Sequence, residues 1–321
     1  MSVNKRSEPK SKTPWRSWAS VLFAVGFFAL YWARPIALEG ITIWPSWIWI
    51  FPGLVVAWAR PRQLWVGLRW PLLAWSLVSL VFSEVWRVVI PVSDERHEVR
   101  VVTMNTGGGL TEAMREVAEL APDVVLLQES YSVPDPQALI TEVFGEGYSG
   151  VIGRDATIVV RGEVLSSDLG WTNHTFARVR LADGREMDVV SLRMQAPSAR
   201  SDYWTLDCWR SYSSHRTEHI KELSEIWERV KRLRTGAPMV LGGDFNLVPD
   251  SRETDLLDDD LVDSYRAAGR GWYATALSGA QLFRIDKVWG SSELVPRGTS
   301  ARDSRVSDHK YVVAEFEWKD E

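Results

Sequence analysis

Cysteine is almost absent from this chain. A single residue, Cys208, stands among 321, which excludes an internal disulfide and any multi-cysteine metal site. Acidic residues are scarce in one region only. The first ninety positions hold three of the 42 Asp and Glu (Glu8, Glu39, Glu84) but ten of the 37 Lys and Arg. With the whole chain at −5 and this front at +7, the remainder carries −12. Such a body lacks the clustered cations that a broad, non-specific nucleic-acid surface needs. A nucleic-acid substrate reached through a bridging metal is still compatible with it. Repeats and low-complexity tracts are missing too, and 25% charged with 45% apolar residues is ordinary globular usage.

What the front does contain is tryptophan, 11 of the 18 in the chain, together with long uncharged runs. Residues 1–16 are polar and basic and read as a tail. Residues 17–33 and 41–59 carry no charge, and 64–86 carries only Arg69 and Glu84. About 20 apolar residues cross a bilayer core as a helix. The reading for 17–90 is therefore a membrane region with three transmembrane helices, the third tolerating Arg69 at the interface. Trp15, Trp32, Trp44, Trp58, Trp65 and Trp86 lie near the ends of these runs, where indoles favour the headgroup zone. A cleaved signal peptide needs a small-residue cleavage site, and residues 32–40 offer none. The basic tail and the loop around Arg60 and Arg62 belong on the cytoplasmic side. Three spans then put the body outside the cytoplasm, whereas two would leave it inside. The protein is expected in the membrane, multi-pass, with the bilayer as a partner; nothing in the sequence calls for a protein partner.

Residues 91–98 form a polar linker, and 99–321 read as one domain. Strands are expected at 99–104, 123–127, 156–160, 175–181, 187–192, 238–241, 284–289 and 311–316, with a hairpin across 182–185. A helix is expected from Thr111 as its cap to Leu120, and a long one over 214–233. His215 and His219 then share a solvated helix face. Residues 198–213 are left as a loop, whose Tyr203, Trp204 and Trp209 either line a cleft or pack beneath it. Strands mixed with a few helices indicate a layered α/β domain.

Polar acids and amides gather where the apolar strands end: Asn105, Glu129, Asp244 and Asn246, then Asp286, Asp308 and His309. Loops at strand ends are where a rigid scaffold presents reactive groups. Taken singly, each is also an ordinary turn or surface residue.

Five segments in series change that weighting: VVTMNTGG (101–108), PDVVLLQES (122–130), LGGDFNLVPDS (241–251), RIDKVWGS (284–291) and SDHKYVVAEF (307–316). Together they resemble the endonuclease/exonuclease/phosphatase superfamily, whose deoxyribonuclease I-like fold is a layered αββα sandwich. The resemblance implies a metal-dependent phosphoesterase acting on a phosphodiester, whether nucleic acid, lipid head group or inositol phosphate. It implies Mg²⁺ or Mn²⁺ as cofactor, with Glu129, Asp308 and Asn105 as metal ligands. It gives Asp244 the attacking water and Asn246 the phosphate or nucleophile. His309 becomes the acid/base or phosphate contact, with Asp286 fixing its tautomer. One position departs from the pattern. Where the family commonly carries a second histidine, this chain has Arg193, or Met194 if the register slips by one. An arginine clamps phosphate but does not shuttle protons near neutral pH. The same substitution keeps open a catalytically silent domain that serves as a binding module.

Overall fold

The computed structural model describes residues 34–49, 85–169, 173–196, 200–247, 252–276 and 282–319, with scattered positions between 22 and 33. In chain order its main elements are α1 (Glu39–Thr42), β1 (Val99–Asn105), α2 (Leu110–Ala118), β2 (Val124–Gln128), α3 (Pro136–Phe144), β3 (Tyr148–Ile152), β4 (Ala156–Asp168), β5 (His174–Leu181) and β6 (Glu186–Arg193). There follow α4 (Leu206–Leu233), β7 (Met239–Asp244), α5 (Asp255–Asp258), β8 (Leu261–Asp263), α6 (Ser264–Ala268), β9 (Asp286–Ser291), β10 (Leu294–Arg302) and β11 (Tyr311–Trp318). The strands run in the order β10-β11-β1-β2-β4-β5-β6-β7-β9-β8, with β3 beside β4.

That path folds into two packed sheets because β4 belongs to both. Its first part pairs with β2 and its second with β5. The change of sheet falls at Gly162, whose φ of 143° puts it in a region that favours glycine. A Cβ there would lie 2.1 Å from the Arg180 carbonyl oxygen.

Alternation along the strands builds the layers. Val99 and Val101 of β1, with Val124 and Leu126 of β2, meet Ala177, Val179, Val189 and Val240 of the second sheet in the central core. Val102, Met104, Val125 and Leu127 point the other way, onto Met114 and Val117 of α2 and Ile140 of α3. On the far side, Leu223, Ile226, Trp227 and Val230 of α4 cover Val190, Leu192 and Leu241. Each of these helix side chains contributes about 1.5–3 kcal/mol by leaving water. The result is the expected αββα sandwich.

Several local expectations need correction. α2 begins one residue before Thr111, and its N-cap is Gly109 with no side-chain cap. α4 begins eight residues before the expected start, because the Thr205 hydroxyl accepts from the Cys208 N–H at 3.2 Å and caps it. Tyr203 and Trp209 therefore pack: Tyr203 stacks on Tyr212, and the Trp209 indole donates to the Tyr203 carbonyl. Trp204 alone points outward, 84% exposed. His219 is not on a solvated face but buried, with Nε2 2.6 Å from the Gln195 carbonyl oxygen.

The front differs most. Among the described residues no helix is long and apolar enough to cross a membrane. The expected second span is not one continuous helix. Its described part folds as the end of α1 and a 3-10 turn at Ser46–Trp49. Pro45 interrupts the run between them, and both flanking indoles find partners on the domain. Trp44 Nε1 donates to the Tyr203 hydroxyl and Trp47 Nε1 to the Tyr273 hydroxyl, each at 3.0 Å. Residues 34–49 thus form a strap across the domain. Most of the other two expected spans lies outside the described residues.

Candidate active site

The same alternation that fills the core turns polar at one end of the sandwich. On β1 the inward series runs Val99, Val101, Thr103, Asn105; on β2, Val124, Leu126, Gln128; on β7, Val240, Gly242, Asp244. In the core just below the site, Gln128 Nε2 donates to Thr103 Oγ1 and to Ser191 Oγ. Above that layer sit Asn105, Asp244 and Asp286, each almost fully buried.

β7 and β9 run antiparallel with Asp244 opposite Asp286. The Asp244 carboxylate is fixed on three sides: Asn105 Nδ2 and Asn246 Nδ2 donate to Oδ2, and the Asn246 N–H donates to Oδ1. Asp286 Oδ2 is 2.9 Å from His309 Nδ1, which leaves Nε2 as the imidazole nitrogen for a substrate. Burial and the neighbouring Asp286 charge push Asp244 up to about 7. Burial alone would lower His309, but Asp286, by charge and hydrogen bond, carries it up to about 9. The site therefore pairs an imidazole held in its charged form with a carboxyl group held well above the usual carboxylate range.

Glu129 follows β2 in the left-handed region, φ 54°, and Asn246 sits at φ 48°. Such backbone costs of the order of 1 kcal/mol or more for a residue with a Cβ, and here it turns both side chains into the site. Glu129 Oε1 accepts from Asn105 Nδ2 at 3.0 Å. Asp308 is exposed at the mouth, its Oδ1 3.8 Å from where a Cβ on Gly107 would lie. Asn246 Nδ2 also donates to the Met194 carbonyl.

The register at the missing histidine is settled by pairing: Arg193 lies opposite Asp244, and Met194 is buried in the core. The Arg193 guanidinium is 2.8 Å from Glu129 Oε1 and 3.4 Å from Asp155 Oδ2. It therefore grips the carboxylate named first among the expected metal ligands. Among the described residues the ligand atoms that come together are different ones, those of Asp244, Asp286 and His309, all within 4.8 Å of one another. Asp286 Oδ1 is buried there with no hydrogen-bond partner. Two adjoining buried carboxylates with an orphaned oxygen, flanked by the amides of Asn105 and Asn246, form a hard oxygen-rich donor set. That set fits Mg²⁺ or Mn²⁺.

Three positioning residues escaped the sequence reading. Asp155 shares Arg193, and its carbonyl accepts from the Glu129 N–H. Thr275 Oγ1 accepts from the Asp286 N–H at 3.1 Å. Ser307 donates to the Asn105 carbonyl at 2.7 Å and accepts from the His309 N–H, tying two site loops together. Only Ser307 had a local signal, a hydroxyl two residues before His309.

The endonuclease/exonuclease/phosphatase family model matches residues 102–309. The chain belongs to that family, whose members are typically phosphoester hydrolases. Its fold is shared with solved structures. A family member from Bacteroides vulgatus is 17% identical, with 69% of this chain and 99% of that one covered and a TM-score of 0.53. The mannosyl-6-phosphatase Bt3783 of Bacteroides thetaiotaomicron is 16% identical, with coverage of 69% and 100% and a TM-score of 0.51. Truncated TDP2 of Caenorhabditis elegans is 20% identical, with coverage of 68% and 96% and a TM-score of 0.51. No curated protein matches the sequence.

Proposed function

We propose that the protein is a divalent-metal-dependent phosphoesterase that hydrolyses a phosphodiester. The observation that supports this most is the pairing of Asp244, oriented by two asparagines, with His309, charged through its contact with Asp286. Asp244, raised towards neutrality, accepts the proton of the attacking water. A base works best when its pKa lies near the working pH. The His309 imidazolium presents Nε2–H to a phosphoryl or leaving oxygen, and Asp286 keeps it charged and turned. Arg193 is the donor placed for a remaining phosphoryl oxygen, while Asn246, with both Nδ2 hydrogens on Asp244 and the Met194 carbonyl, holds the base in place. Bound through Glu129 and Asp308 or through the Asp244–Asp286 pair, a divalent cation would supply a Lewis acid for the developing charge.

The ion pair between Arg193 and Glu129 favours one second reading, a silent domain whose metal site is filled by its own arginine. The full chain in detergent, assayed on bis-(p-nitrophenyl) phosphate with Mg²⁺ or Mn²⁺, separates the two. Metal-dependent turnover that EDTA and Asp244→Ala both abolish is the expected result. A folded protein with no turnover under any metal supports the silent domain.

A further inference from the structure

The strap packs at the site end of the domain, and residues 85–90 pack on α6 and the turn that follows it. Arg216 on α4 is buried with two carboxylates: Nη1 donates to Glu39 and to the Arg34 carbonyl at 2.7 Å, and Nε to Glu253. Gly40 lies flat on two aromatic rings, so that a Cβ would be 3.1 Å from Trp209 and 3.3 Å from Tyr203. Trp44 packs on Phe283 at 5.9 Å. The Phe283 carbonyl accepts from the Thr275 N–H, and Thr275 holds Asp286, so the strap is three contacts from the reacting groups. Arg87 donates to the Gly269 and Arg266 carbonyls, and the Gly271 N–H donates to the Arg87 carbonyl.

Residues 49 and 85 thus end on the same domain. The chain between them therefore leaves the domain and returns to it. Residues 50–84 carry only Arg60, Arg62, Arg69 and Glu84 as charges, and 17–33 carry none. Exposed apolar side chains border the strap and this return point: Ile36, Leu38, Trp204 and Leu206, then Trp86 and Val89. The opposite end of the strands, around the β5–β6 turn, instead exposes Glu163, Arg180, Asp183 and Arg185.

We propose that the active-site end faces a lipid bilayer and that the substrate is a phosphoester carried by a membrane lipid. This rests on the phosphoesterase reading above. A substrate confined to the surface that holds the enzyme is met at a high effective concentration.

The test uses the full chain in phosphatidylcholine vesicles. Cys208 is buried, so a cysteine placed at Trp204 or Asp183 gives one reactive label site. Brominated phosphatidylcholine should quench a fluorophore on Trp204→Cys and leave one on Asp183→Cys bright. In the unlabelled chain, phosphatidyl-p-nitrophenol within the vesicles should be hydrolysed about tenfold or more faster than bis-(p-nitrophenyl) phosphate at equal bulk concentration. Quenching at Asp183 instead of Trp204, quenching at neither, or preference for the soluble diester overturns the proposal, and turnover of that soluble ester leaves the phosphoesterase reading standing. Correct quenching with neither ester hydrolysed overturns the phosphoesterase reading and the lipid substrate with it.

Discussion

Asp286 sets the charge of both its neighbours, and single substitutions should reveal this. With Asp244 required ionised and His309 required protonated, kcat/KM should rise with pH through about 7 and fall through about 9. Asp286→Asn removes a like charge from Asp244 and an opposite charge from His309, so both limbs should move to lower pH. Saturating Mg²⁺ should move the acidic limb the same way, because a cation favours the carboxylate. Asp244→Asn should cost about 10²–10⁴ in kcat, measured with melting temperature alongside to exclude unfolding. Arg193 competes for Glu129. Its removal in Arg193→Gln should tighten Mn²⁺ binding roughly tenfold in calorimetry, while KM for the diester rises as a phosphate donor is lost. Unchanged Mn²⁺ affinity would show that Glu129 is not a metal ligand.

At the scale of elements, the strap offers a contrast between buried and exposed ion pairs. Arg216→Ala leaves Glu39 and Glu253 buried without their cation and should destabilise by about 3–5 kcal/mol. Loss of the exposed Arg115–Glu142 pair in Arg115→Ala should cost no more than about 1 kcal/mol. Denaturant melts of the two variants decide this. The strap was also the element least legible in the sequence. Ile41, Trp44 and Trp47 read as membrane-spanning because hydropathy is blind to a hydroxyl partner more than 150 residues away. The strands that carry the site were legible, since β2 and β7 are uncharged apolar runs and β1 is apolar from Val101 to Met104 but for Thr103, and they end abruptly in Gln128-Glu129, Asp244 and Asn105. β10 was missed because Pro296 and Gly298 interrupt its pattern at a register shift. Asp155 and Thr275 were invisible for another reason: their role consists of contacts made only once β2, β6 and β9 have assembled.

For the whole molecule, the decisive feature is that β4 is shared. Its early residues pair with β2 and its later ones with β5, and the site draws Asn105 and Glu129 from one sheet and Asp244 and Asp286 from the other. The family's segments could be read in series from sequence, but not the way one strand joins the two halves. Neither half can therefore melt while the other keeps its full ladder, and the amides of β2 and β6 should exchange with solvent at closely similar, globally limited rates. The same strand acts as a mechanical axle. Any shear between the sheets must twist β4 about Gly162 and strain the bonds from Asn105 to Asp244 and from Gln128 to Ser191, so the strand and these bonds together set the spacing of the reacting groups.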